Sequence, residues 1–366
     1  MPIIRVRSSA GPYNVICEPG VLGRAASLIK KLGDSTGIFV LSSPTIWRHW
    51  GRAIGKAIPG GKRPILFDDR ESAKRLSTVE GIARQLVRAG ADRRAFAVAI
   101  GGGVVGDVAG FAAATYLRGV RLVHIPTTVV AQVDSAIGGK TGVDLPEGKN
   151  LVGAFYPPRL VLADPGLLST LPHREFRSGL YEVIKYGVIA DAKLFDYLAR
   201  HMDAILRRDP KALAYIIPRS AAIKARVVSS DERESGLRQI LNFGHTLGHA
   251  LETATHYEHF LHGEAIGWGM MGATLLAVAQ GYLNDADAAR IIRLIAAVGP
   301  LPPLRGIRAS ALLPILASDK KVRGGRIFWV LPRHIGKTDW GIEIPWPVVE
   351  RAFAELPSVA AKAVVR

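Results

Sequence analysis

Short apolar runs separated by helical stretches fill the first ~170 residues, the pattern of a mostly parallel α/β sheet. Gly37–Ser42, Phe96–Ile100, Val120–Ile125 and Leu160–Ala163 are nearly continuous in apolar side chains, as strands buried on both faces should be. Ser77–Ala89 has helical spacing, and Ile3–Val6 reads as a first strand. After Leu171-Pro172 the period changes. Helical patterns cover 174–190, 192–206, 211–231, 244–255, 264–280 and 285–298, and strand signal returns only over 326–331. The expected fold is an N-terminal α/β nucleotide-binding domain, Rossmann-like, followed by an α-helical domain, with spans of 1–170 and 171–366. No internal repeat or low-complexity linker interrupts them.

Composition narrows this picture. At 366 residues the chain exceeds one typical core, and 48% hydrophobic residues rule out a disordered chain. No uninterrupted apolar run approaches the ~18 residues of a membrane helix, and the first residues lack an apolar signal core. Cys17 stands alone, which excludes an intrachain disulfide and a cysteine-based zinc site. A cytoplasmic protein is expected. Lys and Arg (48) outnumber Asp and Glu (31), a net charge of +17. The basic residues are scattered, with pairs such as Lys30-Lys31 rather than blocks, so no specific nucleic-acid partner is expected.

Two groups of residues suggest chemistry. Gly101-Gly102-Gly103-Val104-Val105-Gly106-Asp107 follows a strand and opens a helical stretch. Glycines let backbone approach a phosphate, and the helix start supplies N–H groups for it. The spacing is not G-x-G-x-x-G, and a turn that merely packs tightly, with Asp107 as a cap, is the competing reading. Thr127 and Thr128 end a neighbouring strand, where open α/β sheets collect ligands. In the second half His245 and His249 share one helical face, His262 lies beyond a break, and Glu182 sits in an apolar helical segment. Imidazoles plus a carboxylate suit Zn²⁺ with a position open for substrate. The competing reading is an intrahelical Glu182–Lys185 pair with core or surface histidines. Thr246 after His245 excludes the H-E-x-x-H protease pattern. Arg118, Lys140, Lys149, Lys224, Arg238, Lys320 and Lys321 would together suit a substrate bearing phosphate and carboxylate.

These segments, with Arg118-Gly119, Ile125–Thr128, Gln132–Ser135, Gly138–Lys140, Gly148–Asn150, Glu182–Gly187, Asp231–Glu234, Leu241–His249, His262–Glu264 and Asp319–Lys321, resemble the 3-dehydroquinate synthase family, a branch of the sugar-phosphate cyclases. The resemblance runs in readable motifs from about residue 66 to residue 337. It implies tightly bound NAD and one Zn²⁺ or Co²⁺ held by Glu182, His245 and His262, with His249 at the substrate rather than the metal. NAD contacts are implied for Asp69, Arg70, Glu71, Ser72, Ala73, Lys74, Gly103, Val104, Val105, Gly106, Asp107, Thr127, Thr128, Lys140, Lys149, Leu167, Leu168, Ser169 and Thr170. Catalytic roles fall on Lys185, Glu234, Asn242 and His249. Arg118, Asp134, Lys140, Asn150, Lys224, Arg238, Lys320 and Lys321 are implied for the substrate, with Arg118 reaching the neighbouring subunit of a homodimer. Ser42-Ser43-Pro44, Tyr181 and Lys337–Gly341 depart from the family pattern.

The implied reaction turns 3-deoxy-D-arabino-heptulosonate 7-phosphate into 3-dehydroquinate and phosphate, by transient oxidation, elimination, re-reduction and aldol closure. Sister cyclases making 2-deoxy-scyllo-inosose or valiolone-type rings are the nearest alternative. Their substrates lack the carboxylate that Lys224, Arg238 and Asn242 would serve. A metal-dependent polyol dehydrogenase is a second alternative, and the basic residues at the substrate end argue against it.

Overall fold

The computed structural model describes residues 3–58, 63–304, 306–318 and 327–364. Two compact units emerge. The first comprises Met1–Pro172 and Leu213–Glu232, and the second His173–Ala212 and Arg233–Arg366.

The first unit is built on β1 (Ile3–Val6), β2 (Tyr13–Cys17), α1 (Ala25–Lys30), β3 (Ile38–Ser42), α2 (Pro44–Ala57), β4 (Ile65–Leu66), α3 (Leu76–Arg88), β5 (Phe96–Gly101), α4 (Gly103–Thr115), β6 (Arg121–Pro126), β7 (Lys140–Leu145), β8 (Gly148–Phe155) and β9 (Leu160–Ala163). Seven strands form one sheet in the order β1-β2-β9-β6-β5-β3-β4, parallel except for the β1–β2 pair. The central strands bury both faces, and their side chains sort by the two-residue period. Phe96, Val98 and Ile100 join Val40, Val123, Leu160 and Leu162 in the core beneath α1 and α2. Ala97 and Ala99 join Leu41 and Leu122 beneath α3 and α4. Because β3 leads outward to β4 and the chain then returns to β5, the carboxyl ends of β3 and β5 lie side by side, with Ser42 paired to Ile100. That reversal of strand order is where an open α/β sheet leaves a crevice. The glycine turn leaves β5 there.

The second unit contains α5 (His173–Ala190) and α6 (Ala192–Leu206), and then the chain enters α7 (Pro210–Ser230). From Leu213 onward α7 clusters with the first unit, where Arg7 N donates to Ser229 Oγ (2.9 Å) and Ser9 N to Glu232 Oε2 (2.8 Å). The second unit resumes with α8 (His245–Ala254), α9 (His262–Ala279), α10 (Asp285–Ala297), α11 (Ala309–Ser318), a hairpin of β10 (Phe328–His334) and β11 (Lys337–Glu343), and α12 (Trp346–Val364). α9 is buried on nearly every side. It packs against α5 at Gly263, where a Cβ would lie 1.8 Å from Ser178 O, and against α8 at Gly269, where it would lie 1.8 Å from Gly244 O. Only glycine allows these two backbone approaches. Among the described residues no helix is long and apolar enough to cross a membrane.

Candidate functional site

The candidate residues form two groups, one in each unit. In the first unit α4 begins inside the glycine turn, at Gly103, with Gly102 at its N-cap and no side chain capping it. The first turn therefore presents backbone N–H groups rather than filling them. The glycines divide by role. A Cβ on Gly101 would meet Val105 at 2.5 Å and one on Gly102 would meet Thr128 Cγ2 at 2.9 Å, so packing accounts for both. At Gly103 the nearest atom is Ser135 Oγ at 3.5 Å, ordinary contact. Internal packing does not demand glycine there, whereas close approach of a ligand would.

Asp107 does not cap the helix. Its carboxylate takes an ion pair from Lys74 Nζ at 2.7 Å, and the same ammonium donates to Asn150 Oδ1. Asp144 accepts from Asn150 N (2.7 Å), Asp144 N donates to Lys74 O (2.8 Å), and Lys149 pairs with Glu71 (2.9 Å). The helical turn Glu71–Ala73, the β7–β8 hairpin and the start of α4 are thus tied through Lys74. Burial alone would lower Lys74, but Asp107, Glu71 and Asp144 outweigh it and hold the ammonium above its ordinary range. Burial pushes the Asp107 carboxyl up, against the pull of Lys74.

Asp69 and Arg70 lead into that turn, with Arg70 exposed and paired to Asp68, while Ser72 and Ala73 lie within it. Val104, Val105 and Gly106 continue the first turn of α4. Thr127 is buried and its Oγ1 finds no hydrogen-bond partner among the described residues, and Thr128 is half-buried. Leu167, Leu168, Ser169 and Thr170 belong to the 3₁₀ turn Pro165–Thr170, capped by Asp164, with Trp50 Nε1 donating to Thr170 Oγ1 at 2.9 Å. Lys140 is exposed at the start of β7. Arg118 is exposed and has φ 67°, beside Leu117 at φ 50°, in a tight turn after α4. Asp134 sits in a π-helical turn, Ala131–Ser135, and meets Lys224 of α7 at 2.6 Å. Gln132 anchors that turn by donating to Pro126 O (3.1 Å) and Asp164 O (2.7 Å).

In the second unit Glu182 of α5, His245 of α8 and His262 of α9 converge, their ligand atoms within 4.8 Å of one another. One oxygen, Glu182 Oε1, lies 3.5 Å from His245 Nε2 and 3.4 Å from His262 Nε2. Each ring has an acceptor behind it: Phe243 O is 3.2 Å from His245 Nδ1, and Glu252 Oε2 is 3.3 Å from His262 Nδ1. A proton on each Nδ1 leaves both Nε2 lone pairs toward Glu182, the arrangement a divalent cation needs. Lys185 contacts Glu182, so the intrahelical pair and the histidine cluster are both present. Burial alone would lower His262, but Glu252 and Glu182 beside it push it up to about 10.

Each residue of His262-Gly263-Glu264 makes its own contact. His262 faces Glu182, and Gly263 lets α9 touch α5, its N–H donating to Ser178 Oγ at 3.0 Å. Glu264 accepts from Leu261 N (2.8 Å) and takes two bonds from Arg174, both 2.7 Å. His249 groups with Glu252 and His262. Near by in sequence, Asn242 Nδ2 donates to Glu234 Oε1 (2.7 Å), Glu234 having φ 62°, while Arg238 is fully buried in the turn 237–242. Lys320 and Lys321 lie outside the described residues. The sequence reading missed Glu252, although it follows His245 by two helical turns and so shares its face. It gave no role to Gln132, which it counted only within a motif, and missed Arg174 and His124, a buried histidine that burial pushes down to about 4.

Residues 64–178 match the 3-dehydroquinate synthase N-terminal family and residues 179–322 its C-terminal counterpart. A 3-dehydroquinate synthase of Solibacter usitatus is 46% identical over 96% of this chain and 99% of its own. One from Koribacter versatilis is 45% identical over 96% and 97%. The chain belongs to the 3-dehydroquinate synthase family. Among solved structures, a 2-epi-5-epi-valiolone synthase from Streptomyces hygroscopicus with NAD⁺ and Zn²⁺ bound superposes with TM-score 0.86 at 30% identity, over 94% of this chain and 97% of the other. A 2-deoxy-scyllo-inosose synthase complexed with carbaglucose-6-phosphate, NAD⁺ and Co²⁺ gives 0.85 at 27%, over 97% and 99%.

The departures from the dehydroquinate synthase pattern have local causes. Ser42 Oγ donates to Ile100 O at 2.7 Å, and Ser43 caps α2 ahead of Pro44. Tyr181 fills space beside Gly267, and Lys337–Gly341 forms most of β11.

Proposed function

We propose that this protein converts 3-deoxy-D-arabino-heptulosonate 7-phosphate into 3-dehydroquinate and phosphate. The observation that carries the reading is the convergence of Glu182, His245 and His262 in a member of this family. In the first unit the uncapped start of α4, from Gly103 to Asp107, would take the pyrophosphate of NAD, with Lys74 and Asn150 fixing the hairpin beside it. In the second, the two imidazoles and the carboxylate would hold Zn²⁺ or Co²⁺ with positions left for substrate oxygens. When bound, the cation supplies a Lewis acid for the substrate's hydroxyls, and NAD supplies a place for a hydride to go and return from.

The chain's own residues do the remaining work. Lys224, held by Asp134, and the buried Arg238 receive the carboxylate as charge-assisted donors. Glu234 fixes the amide of Asn242 so that its remaining polar atoms address the sugar. Lys185 places a positive charge beside Glu182. Lys140, Asn150, His249 and a lysine of 320–321 serve the phosphate end. The reading places the enzyme in the cytoplasm as a homodimer in which Arg118 completes the neighbour's phosphate site. The high net charge has no part in it, and any DNA binding should be weak and fall steeply with salt.

Purified protein with the heptulosonate phosphate, NAD⁺ and Zn²⁺ should release phosphate and 3-dehydroquinate in equal amounts, with no NADH accumulating. NADH appearing mole for mole with turnover would instead make it a dehydrogenase. A site built around carboxylate donors should reject sugar phosphates lacking that group by about 10⁴-fold, because the donors go unpaired. Equal turnover of such substrates would move the protein to a sister cyclase.

A further inference from the structure

A carboxylate buried to the extent of Glu252, 5% exposed, needs a partner that repays its lost hydration. It stands on α8 two turns beyond His245, facing the same way, and its Oε2 is 3.3 Å from His262 Nδ1. A neutral imidazole carries one N–H and one lone pair, and whichever nitrogen is bonded to an acceptor keeps the proton. His245 meets this condition through a backbone carbonyl, that of Phe243. His262 meets it through a full negative charge.

We propose that Glu252 is the positioning residue of His262: it receives the Nδ1 proton, fixes the ring and turns the Nε2 lone pair toward Glu182 and His245. A carboxylate in this place also makes the ring a better donor than a carbonyl would, so Glu252 sets the strength of metal binding without touching the metal. The inference rests on Glu182, His245 and His262 being the metal site. The rival role is direct ligation, since Glu252 also groups with His249 and His262.

The test is the Zn²⁺ affinity of the full chain, by competition with a chromophoric chelator, for the wild type, Glu252→Gln, Glu252→Ala and His262→Ala. Glu252→Ala should weaken binding by up to about 100-fold and Glu252→Gln by about tenfold, because a glutamine carbonyl still accepts from Nδ1 but carries no charge. The Co²⁺-loaded Glu252→Gln protein should keep the wild-type visible absorption, since no ligand is lost. Wild-type affinity in either Glu252 variant overturns the proposal, and so does a Co²⁺ spectrum showing a changed ligand set. If Glu252→Ala does not fold by circular dichroism, the isosteric glutamine variant decides alone. Wild-type affinity in His262→Ala would refute the metal site itself, a failure separate from that of Glu252.

Discussion

Single atoms decide the candidate metal centre. The ring of His262 keeps a proton to about pH 10 in the metal-free chain because Glu252 and Glu182 outweigh its burial. Its folded value lies above the ordinary 6.5, so the pairing stabilises the metal-free protein fully below about pH 6.5 and is lost as pH rises through about 10. A cation at Nε2 must displace that proton. Zn²⁺ binding at pH 7 should therefore release about one proton from His262, and affinity should rise with pH up to about 10. Calorimetry in buffers of different ionisation enthalpy measures this, and zero release at pH 7 would contradict it. Gly263 is as exacting. Its missing Cβ would stand 1.8 Å from Ser178 O, in backbone that cannot yield without separating α9 from α5. Gly263→Ala should cost roughly 3 kcal/mol by denaturant unfolding and lose metal with it.

At the scale of elements, α9 is positioned at its first turn. Glu264 caps the helix through Leu261 N and takes Arg174 in a two-bond clamp, fastening the start of α9 to the start of α5. Glu264→Ala removes both and should lower stability by about 1–2 kcal/mol, with weaker metal retention at equal folding. Unchanged chelator competition would show that the clamp does not align His262. The helices from α5 to α10 were legible in the sequence, because long apolar periodicity survives tertiary context: α6 occupies the span its pattern predicts, and α8 and α9 begin within two residues of theirs, whereas α1, α11 and α12 were not expected. Nor were β2, α2 and the β7–β8 hairpin. β2 is short, and the outer face of β8 leaves Leu151 and Phe155 exposed, which blurs the alternation that would mark it. The His245–His249 spacing was visible. The meeting of Glu182, His245 and His262 was implied by the family resemblance and not by spacing, since no local pattern records which turns of separate helices coincide. The glycine turn was legible as a turn, but only the space around each Cα separates Gly101, which packing requires, from Gly103, which packing leaves open.

For the molecule as a whole, the proposed homodimer makes a sharp prediction. Arg118, exposed in its strained turn, and His262 would complete one site from two chains. Arg118→Ala and His262→Ala, each inactive, should regain roughly a quarter of wild-type phosphate release when unfolded and refolded together, because half the dimers are mixed and each has one intact site. No recovery, with mixed dimers confirmed by mass, would place Arg118 within its own chain's site or away from any site. The return of α7 to the first unit bears on how the chain is made. Ile216, Ile217, Ala221, Val227 and Val228 are buried on that helix, and Lys224 of the same helix holds Asp134. A ribosome that has delivered everything up to Pro172 has therefore not yet delivered Leu213–Glu232, which belongs to the same unit. The first unit closes only after His173–Ala212, which belongs to the other unit, has emerged. The nascent chain meanwhile keeps apolar surface open to chaperones or to misassembly. A gene fragment cut at the apparent boundary would inherit that exposed surface permanently.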